Sequence, residues 1–436
     1  RSLNLYDDPR ARRRAAGRRL RAQVMSACGR AGGAADRCCQ PVMITASTAM
    51  VGASCYAGPV HHSPRRFGLH GMPRLLRFWV LAVVVGVAAS SRSRAPQLHV
   101  RTNDDAGSGS LRDALLHVRA GERVTFAPQI GTIHLRSGLE LKTPGVTLDA
   151  VGSNVTVDTR GYYPLTLLGV ANVTIRGLRF RGGCIPNSSA PSTSRLGSRP
   201  CTPHVADAEP LARSPKHPNG NLRVSGACSN VTIEYCSSTG TDDVGLDITH
   251  DYTQPEKTPK DITVRYCILG QNVKTSLTEG AGPHISFHHN VWSSADMRSP
   301  QLDNVTLFDM SNNIVVGWWE YGSRIRAGSS GNLRSNMFCR SRSATKDPSL
   351  AVVLEASQVF ATGNLGPLKA DGSRVVIDKL GTSSVPLWDS PPKQLDNAAI
   401  LLEKLHGVVG PRPLDALDAA LLGVASDDCS APAFDA

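Results

Sequence analysis

Asp243, Asp247, Lys274 and Arg298 are the residues of this 436-residue chain whose types and spacing point to chemistry. Each is reached by counting forward from a recurring position in a set of similar short segments. Asp243 and Asp247 stand seven and eleven residues after Cys236, Lys274 seven after Cys267, and Arg298 eight after Asn290. If those segments are neighbouring strands, ~4.7–4.9 Å apart, then Asp243, Lys274 and Arg298 rise over ~10 Å on one face. Two carboxylates followed by two cations on successive coils suit an anionic polymer with a bridging metal. The competing expectation is a salt-paired exterior, because solenoid faces are commonly charged. Glu234, Arg265 and His288 look like that case, although Glu234 is also a candidate metal neighbour.

The segments themselves are the elements that must position these groups. Asn230-Val-Thr-Ile-Glu-Tyr-Cys236 recurs as Asp261-Ile-Thr-Val-Arg-Tyr-Cys267 and more loosely as His284-Ile-Ser-Phe-His-His-Asn290. Their last positions continue through Asn313 and Asn336, at intervals of 31, 23, 23 and 23. A period of that size with about three short strands per turn means stacked coils, a parallel β-helix. Alternation within each copy sends Val231, Ile233 and Tyr235 inward onto Ile262, Val264 and Tyr266. Cys236, Cys267 and the three asparagines then form one column. An amphipathic turn, Leu111 to Val118, is placed to cap one end. Helical spacing returns only at Leu395 to Leu405, where Gly407 is placed to stop it and the segment is expected to pack outside the coils. Ile185 to Asn219, rich in Pro, Ser and basic residues, reads as a surface insertion.

The net charge of +12 invites a nucleic-acid reading, but its distribution argues against one. Residues 1–71 hold twelve arginines and three acids. From Met72 the pattern becomes a short basic flank (Arg74, Arg77), an apolar run from Phe78 to Ala89, and small residues. That is the layout of a secretion signal, too short for the ~20 residues a bilayer span needs. The expectation is therefore a non-native leader over 1–71, a signal over 72–90 and a secreted, nearly neutral domain over 95–430. It should act as a monomer, with no nucleic-acid partner and no membrane attachment once the signal is removed. Seven cysteines follow Met72, an odd number that leaves at least one thiol outside intramolecular bridges; Cys184 and Cys201 bracket the insertion and are placed to close it. Sequons at Asn154, Asn172, Asn187, Asn230 and Asn304 agree with secretion.

Several motifs, in order, resemble the pectate lyases. Tyr163-Pro-Leu-Thr-Leu-Leu-Gly with Asn172-Val-Thr-Ile-Arg-Gly-Leu-Arg-Phe-Arg181 is similar to the family's early strand pair. Asn230 to Cys236 resembles its segment N-V-W-I-D-H-C, and Asp243-Val-Gly-Leu-Asp247 its calcium-binding D-x-x-x-D. Lys274-Thr-Ser-Leu resembles the substrate-lysine segment. Phe287-His-His-Asn290 with Arg298-Ser-Pro300 resembles H-H-N followed by the R-x-P of the catalytic arginine. Pro411-Arg-Pro-Leu-Asp415-Ala-Leu-Asp418-Ala is similar to the closing P-R-D-A-V-D-A.

The resemblance covers roughly residues 98–425 and implies an all-β, right-handed parallel β-helix with a short C-terminal helix. It implies calcium-assisted β-elimination in pectate or polygalacturonate, an acidic polysaccharide. Calcium, seeking 6–8 oxygens, would take Asp243 and Asp247, with Asn221 and Glu234 as further ligand candidates. Lys274 and Pro300 would bind substrate, and Arg298 would take the proton or stabilise charge. Three positions depart from the pattern: Asp303 stands where a second arginine is expected, Asn221 where an aspartate is, and Ile233-Glu234-Tyr235 replaces I-D-H. These keep two alternatives open. One is a glycoside hydrolase on the same scaffold, faintly suggested by Asp242-Asp243 and Arg324-Ile-Arg326, needing two carboxyls ~6.5–9.5 Å apart for inversion. The other is a uronate-binding β-helix without catalysis.

Overall fold

The computed structural model describes residues 97–128, 130–159, 163–182, 220–241, 243–339, 348–369 and 371–429. The leader, the signal-like segment, Asp242, Asn187, Cys184, Cys201 and the 185–219 insertion lie outside them. Three parallel sheets wind as a β-solenoid of about eight turns, each turn giving one strand to each sheet. The first sheet has ten strands, from Gln97–Val100 to Gln358–Thr362, and includes Ser229–Glu234, Lys260–Arg265, Ile285–His288 and Phe308–Ser311. The second has eight, among them Leu222–Ser225, Val244–Thr249, Lys274–Glu279 and Gln301–Asp303. The third, also of eight, includes Arg179–Gly182, Ser237–Thr239 and Met337–Cys339.

The register follows the repeat. Val231 lies on Ile262, Ile285 and Phe308, and Ile233 on Val264, Phe287 and Met310. All eight are buried, and such in-register apolar columns fill the space between the sheets. Beside them runs an asparagine ladder. Asn290 Nδ2 donates to Asn313 Oδ1, Asn313 to Asn336 and Asn336 to Asn364, each at 3.0 Å. Each Oδ1 also accepts the backbone N–H one coil back, as Asn313 does from Asn290 at 3.0 Å. Asn364 adds a rung after a longer interval that sequence counting missed.

One expectation is corrected at the corner. Tyr235 and Tyr266 do not face inward: both have left-handed backbones (φ 53° and 52°), which break the alternation where the chain bends between sheets. Their half-buried rings stack on each other at 5.2 Å, while Cys236 and Cys267 occupy the interior. The same backbone need explains four of the sequons. Asn154, Asn172, Asn230 and Asn304 all have φ between 50° and 59°, where asparagine is enriched among non-glycine residues.

Helices cap the first coils and cover one outer face. Leu111–His117 begins on Ser110, whose hydroxyl accepts the Asp113 N–H at 3.1 Å, and buries Leu111, Ala114 and Leu115. Near the C terminus the expected helix forms as Leu401–His406 and stops at Gly407. A longer one, Ala416–Cys429, was not foreseen. Leu421, Leu422 and Ala425 pack with Leu401 and Leu405 on Ile268, Val291 and Ile314 of the third sheet. Cys429 is bonded to Cys339 of that sheet, whereas Cys228, Cys236 and Cys267 are buried free thiols. Among the described residues no helix is long and apolar enough to cross a membrane.

Candidate functional site

The second sheet carries the groups singled out by spacing. Asp243 precedes Val244–Thr249, Lys274 opens the strand of the next coil, and Lys274 bridges to Met297, beside Arg298, on the coil after that. Lys274 Nζ lies 2.6 Å from Asp243 Oδ1, so the first rung of the expected stack is an ion pair. Gly245, between the two aspartates, has no room for a side chain: a Cβ there would meet Asn272 Nδ2 at 2.5 Å and Ser238 Oγ at 2.9 Å.

Arg298 differs from its neighbours. Its carbonyl accepts the Ser276 N–H at 2.8 Å, and its backbone is left-handed at φ 67°. Non-glycine residues rarely hold that conformation unless the surroundings impose it. Its Nε is buried without a hydrogen-bond partner, and it makes no ion pair among the described residues. A guanidinium lacking an acid on the same face as the Asp243–Lys274 pair is available to an outside anion. Pro300 follows, buried, two residues on.

Asp247 has an environment the sequence did not announce. It is buried; Oδ2 accepts the Tyr163 hydroxyl at 3.0 Å and lies 3.5 Å from Arg223 Nε, while Oδ1 has no partner. Burial pushes its carboxyl up to about 6, against the opposing pull of Arg223. Arg223 is its register partner one coil back, held between the rings of Tyr163 and Tyr252 at 5.4 Å from each centroid. Tyr252 in turn donates to Glu279 at 3.1 Å. Gly220 makes this possible, since a Cβ there would sit 1.9 Å from the Tyr163 ring. Sequence reasoning missed Arg223, Tyr163 and Tyr252 as site residues. The available signal was Arg223 two positions after Asn221, but the 185–219 insertion hid its coil register.

Of the other metal candidates, Asn221 lies one coil before the two aspartates, its backbone N–H donating to Val244 O at 3.2 Å. Asn221 is fully buried, and its amide nitrogen donates inside the wall to Ser238 Oγ and Thr239 O, both at 2.9 Å. Glu234 belongs to the first sheet, where Arg265 holds it at 2.6 Å and Arg176 at 3.5 Å. That is the salt-paired column expected of Glu234 and Arg265. His288, next in register, is buried, and burial lowers its imidazole to about 3, so it is neutral. Asp303 is paired with Arg326, which together with Arg324 is held by Glu355. The charge reversal at 303 is therefore balanced one coil further on.

No protein-family profile and no curated protein matches the chain. Solved structures do. A pectate lyase studied for substrate specificity and the anti β-elimination mechanism is 14% identical over 67% of this chain and 68% of its own, at TM-score 0.43. The cedar-pollen allergen jun a 1 is 15% identical over 73% of this chain and 89% of its own, at 0.41. A pectate lyase variant from Xanthomonas campestris is 15% identical over 75% and 97%, at 0.43. These likenesses, at 14–15% identity and TM-scores of 0.41–0.43, carry no argument about function, which rests on the chain's own side chains.

Proposed function

We propose that this chain is a secreted polysaccharide lyase that binds an acidic, uronate-containing polymer along its second sheet and cleaves it by β-elimination. The observation that supports this best is Arg298, a cation with no ion pair among the described residues, one coil beyond the Asp243–Lys274 pair. A uronate carboxylate drawn to Lys274 and Arg298 has its charge neutralised. That lowers the barrier to losing the C5 proton, because the carbanion spreads onto the same carboxylate. The C5 proton passes to a solvent water or hydroxide, the electron pair forms the C4–C5 double bond as the C4–O bond breaks, and the leaving oxygen takes a proton from water. Arg298 acts at C5, stabilising the developing charge as a guanidinium, with Lys274 holding the carboxylate.

The expected calcium ion fits these residues poorly. Asp243 is taken by Lys274, and Asp247 Oδ2 by Tyr163 with Arg223 close by; the orphaned buried oxygens are Asp247 Oδ1 and Asn221 Oδ1. Calcium seeks 6–8 oxygens. Among the described residues no three His, Cys, Asp or Glu side chains gather to hold a metal. The lyase reading accordingly rests on the chain's own cations. The hydrolase alternative fares worse: Asp243 and Asp303 are both ion-paired, and Arg324 and Arg326 serve Glu355.

The test is a spectrophotometric assay on polygalacturonate. Lyase action produces an unsaturated uronate that absorbs in the near ultraviolet, and hydrolysis does not. Arg298→Ala should cut the rate by ~10²–10⁴-fold with the melting temperature unchanged. Chain cleavage without new absorbance, or an undiminished Arg298→Ala enzyme, would refute the proposal.

A further inference from the structure

Arg223 stands where a cation serving Asp247 would have to stand. It is on the adjacent coil in register with Asp247, 3.5 Å from Oδ2, with its side chain three-quarters shielded. Two tyrosine faces clamp it from Tyr163 and Tyr252, an arrangement that favours a delocalised guanidinium over a compact, strongly hydrated ion. Its Nε is buried against Asp247 without a hydrogen-bond acceptor and one Nη donates to Thr249 Oγ1 at 3.4 Å, so the group is held by charge, stacking and one long hydrogen bond and keeps its remaining Nη donors in reserve. Tyr163 closes the arrangement by donating to the same carboxylate oxygen, and Gly220 leaves the space for its ring.

From this we infer that Arg223 is a built-in substitute for a divalent cation: it neutralises Asp247 and offers its free donors to a uronate carboxylate, so the face binds acidic polysaccharide without calcium. The inference deepens the proposed function and rests on it for the identity of the ligand. The displacement of metal by Arg223 stands on the geometry alone. Arg223, Lys274 and Arg298 bring three positive charges against three from Asp243, Asp247 and Glu279, a balance that leaves no negative excess to hold a metal cation.

Two titrations on the full chain decide it. In the first, calcium alone is titrated by calorimetry into the wild type, Arg223→Gln and Arg223→Asp. The wild type should show no saturable one-to-one binding at millimolar calcium, and Arg223→Asp, which places an acid beside Asp247, should gain it. Saturable wild-type binding abolished by Asp247→Asn would overturn the inference, as would failure of a folded Arg223→Asp to gain any. In the second, hexagalacturonate is titrated in excess chelator. Wild-type binding should persist and Arg223→Gln should weaken it by about tenfold or more, while Arg223→Lys, retaining the charge without the stacking plane, should fall between. Equal affinity in wild type and Arg223→Gln would overturn the carboxylate role. Complete absence of hexagalacturonate binding, with or without calcium, would instead sink the proposed function, and the calcium titration would still decide whether Arg223 fills the cation position.

Discussion

Two outward faces of the same solenoid carry arginine and aspartate in similar number and use them in opposite ways. On the third sheet, Arg179 and Arg181 meet Asp415 and Asp418 beneath the C-terminal helix. Arg181 reaches Asp415 at 2.6 Å and Asp418 at 2.9 Å, and Arg179 reaches Asp418 at 3.2 Å. Ser237 Oγ and Asn154 Oδ1 satisfy further donors and acceptors of the cluster. On the second sheet, by contrast, Asp247 Oδ1, Arg223 Nε and Arg298 Nε are buried and unpartnered. Buried polar atoms are ordinarily satisfied, and such orphans also occur on the other sheets, at Arg176 Nε, Asp309 Oδ1 and Thr239 Oγ1, so they mark the second sheet only together with the Asp243–Lys274 pair and the Asp247–Arg223 contact beside them. The closing motif Pro411 to Ala419 is thus structural: it supplies Asp415, whose carboxylate accepts the Asp418 N–H at 2.8 Å to start the helix, and Asp418, which docks it.

The comparison predicts separable failures. Asp418→Ala leaves Arg179, which has no exposure, with hydrogen bonds to Asn154 Oδ1 and the Pro413 carbonyl but only the longer contact of 3.6 Å to Asp415 as a carboxylate partner. Removing one member of such a buried network costs about 3–5 kcal/mol. Urea denaturation should show that loss, with the Cys339–Cys429 disulfide keeping the helix tethered. Hexagalacturonate affinity of the folded variant should be unchanged, because the cluster touches a different sheet. A stability loss under about 1 kcal/mol would mean that the network is not what holds the helix.

Asp247 sharpens the contrast from the other side. Burial raises its carboxyl from 3.8 to about 6 in the folded chain. Between those values the folded state binds more protons than the unfolded state, so this group's contribution to stability falls as pH rises from about 4 through 6. The full cost, reached above that window, is roughly 2–3 kcal/mol. Asp247→Asn never pays it. Its stability relative to wild type should therefore climb by about 2 kcal/mol between pH 4 and pH 8. Thermal melts in matched buffers test this, and a flat difference would show that Asp247 is ionised without penalty.

How far these faces were legible in the sequence depended on locality. The ladder from Cys236 to Asn336 was readable because every rung repeats one local backbone solution: a strand, a left-handed corner, then an inward side chain. The Asp243–Lys274 pair followed from it, since equal offsets from equal rungs bring side chains together. Tyr235 and Tyr266 were misplaced because alternation by twos does not survive a corner residue of positive φ. Arg223 was illegible for another reason: its register depends on how a long insertion returns to the coil, and nothing local encodes that. The Cys339–Cys429 bond and the helix Ala416–Cys429 likewise depend on a docking across 90 residues.

The smallest expected effect lies further along the second sheet, where Asp303, Arg326, Glu355 and Arg324 pair in the open. Arg326 Nε lies 3.3 Å from Glu355 Oε2, and the two side chains are 37% and 38% exposed. Hydrogen bonds from Arg324 and Arg326 hold the Glu355 carboxyl below its ordinary range. Water competes for every member, so Glu355→Gln should cost less than about 1 kcal/mol, and less again in high salt. Arg326 keeps Asp303 as partner in that variant, and Arg324 keeps its contact with the Tyr321 ring, 5.6 Å from the centroid. A loss of several kcal/mol, insensitive to salt, would place this ladder with the buried cluster under the helix and erase the distinction between a closed charge network and a face left open for a ligand.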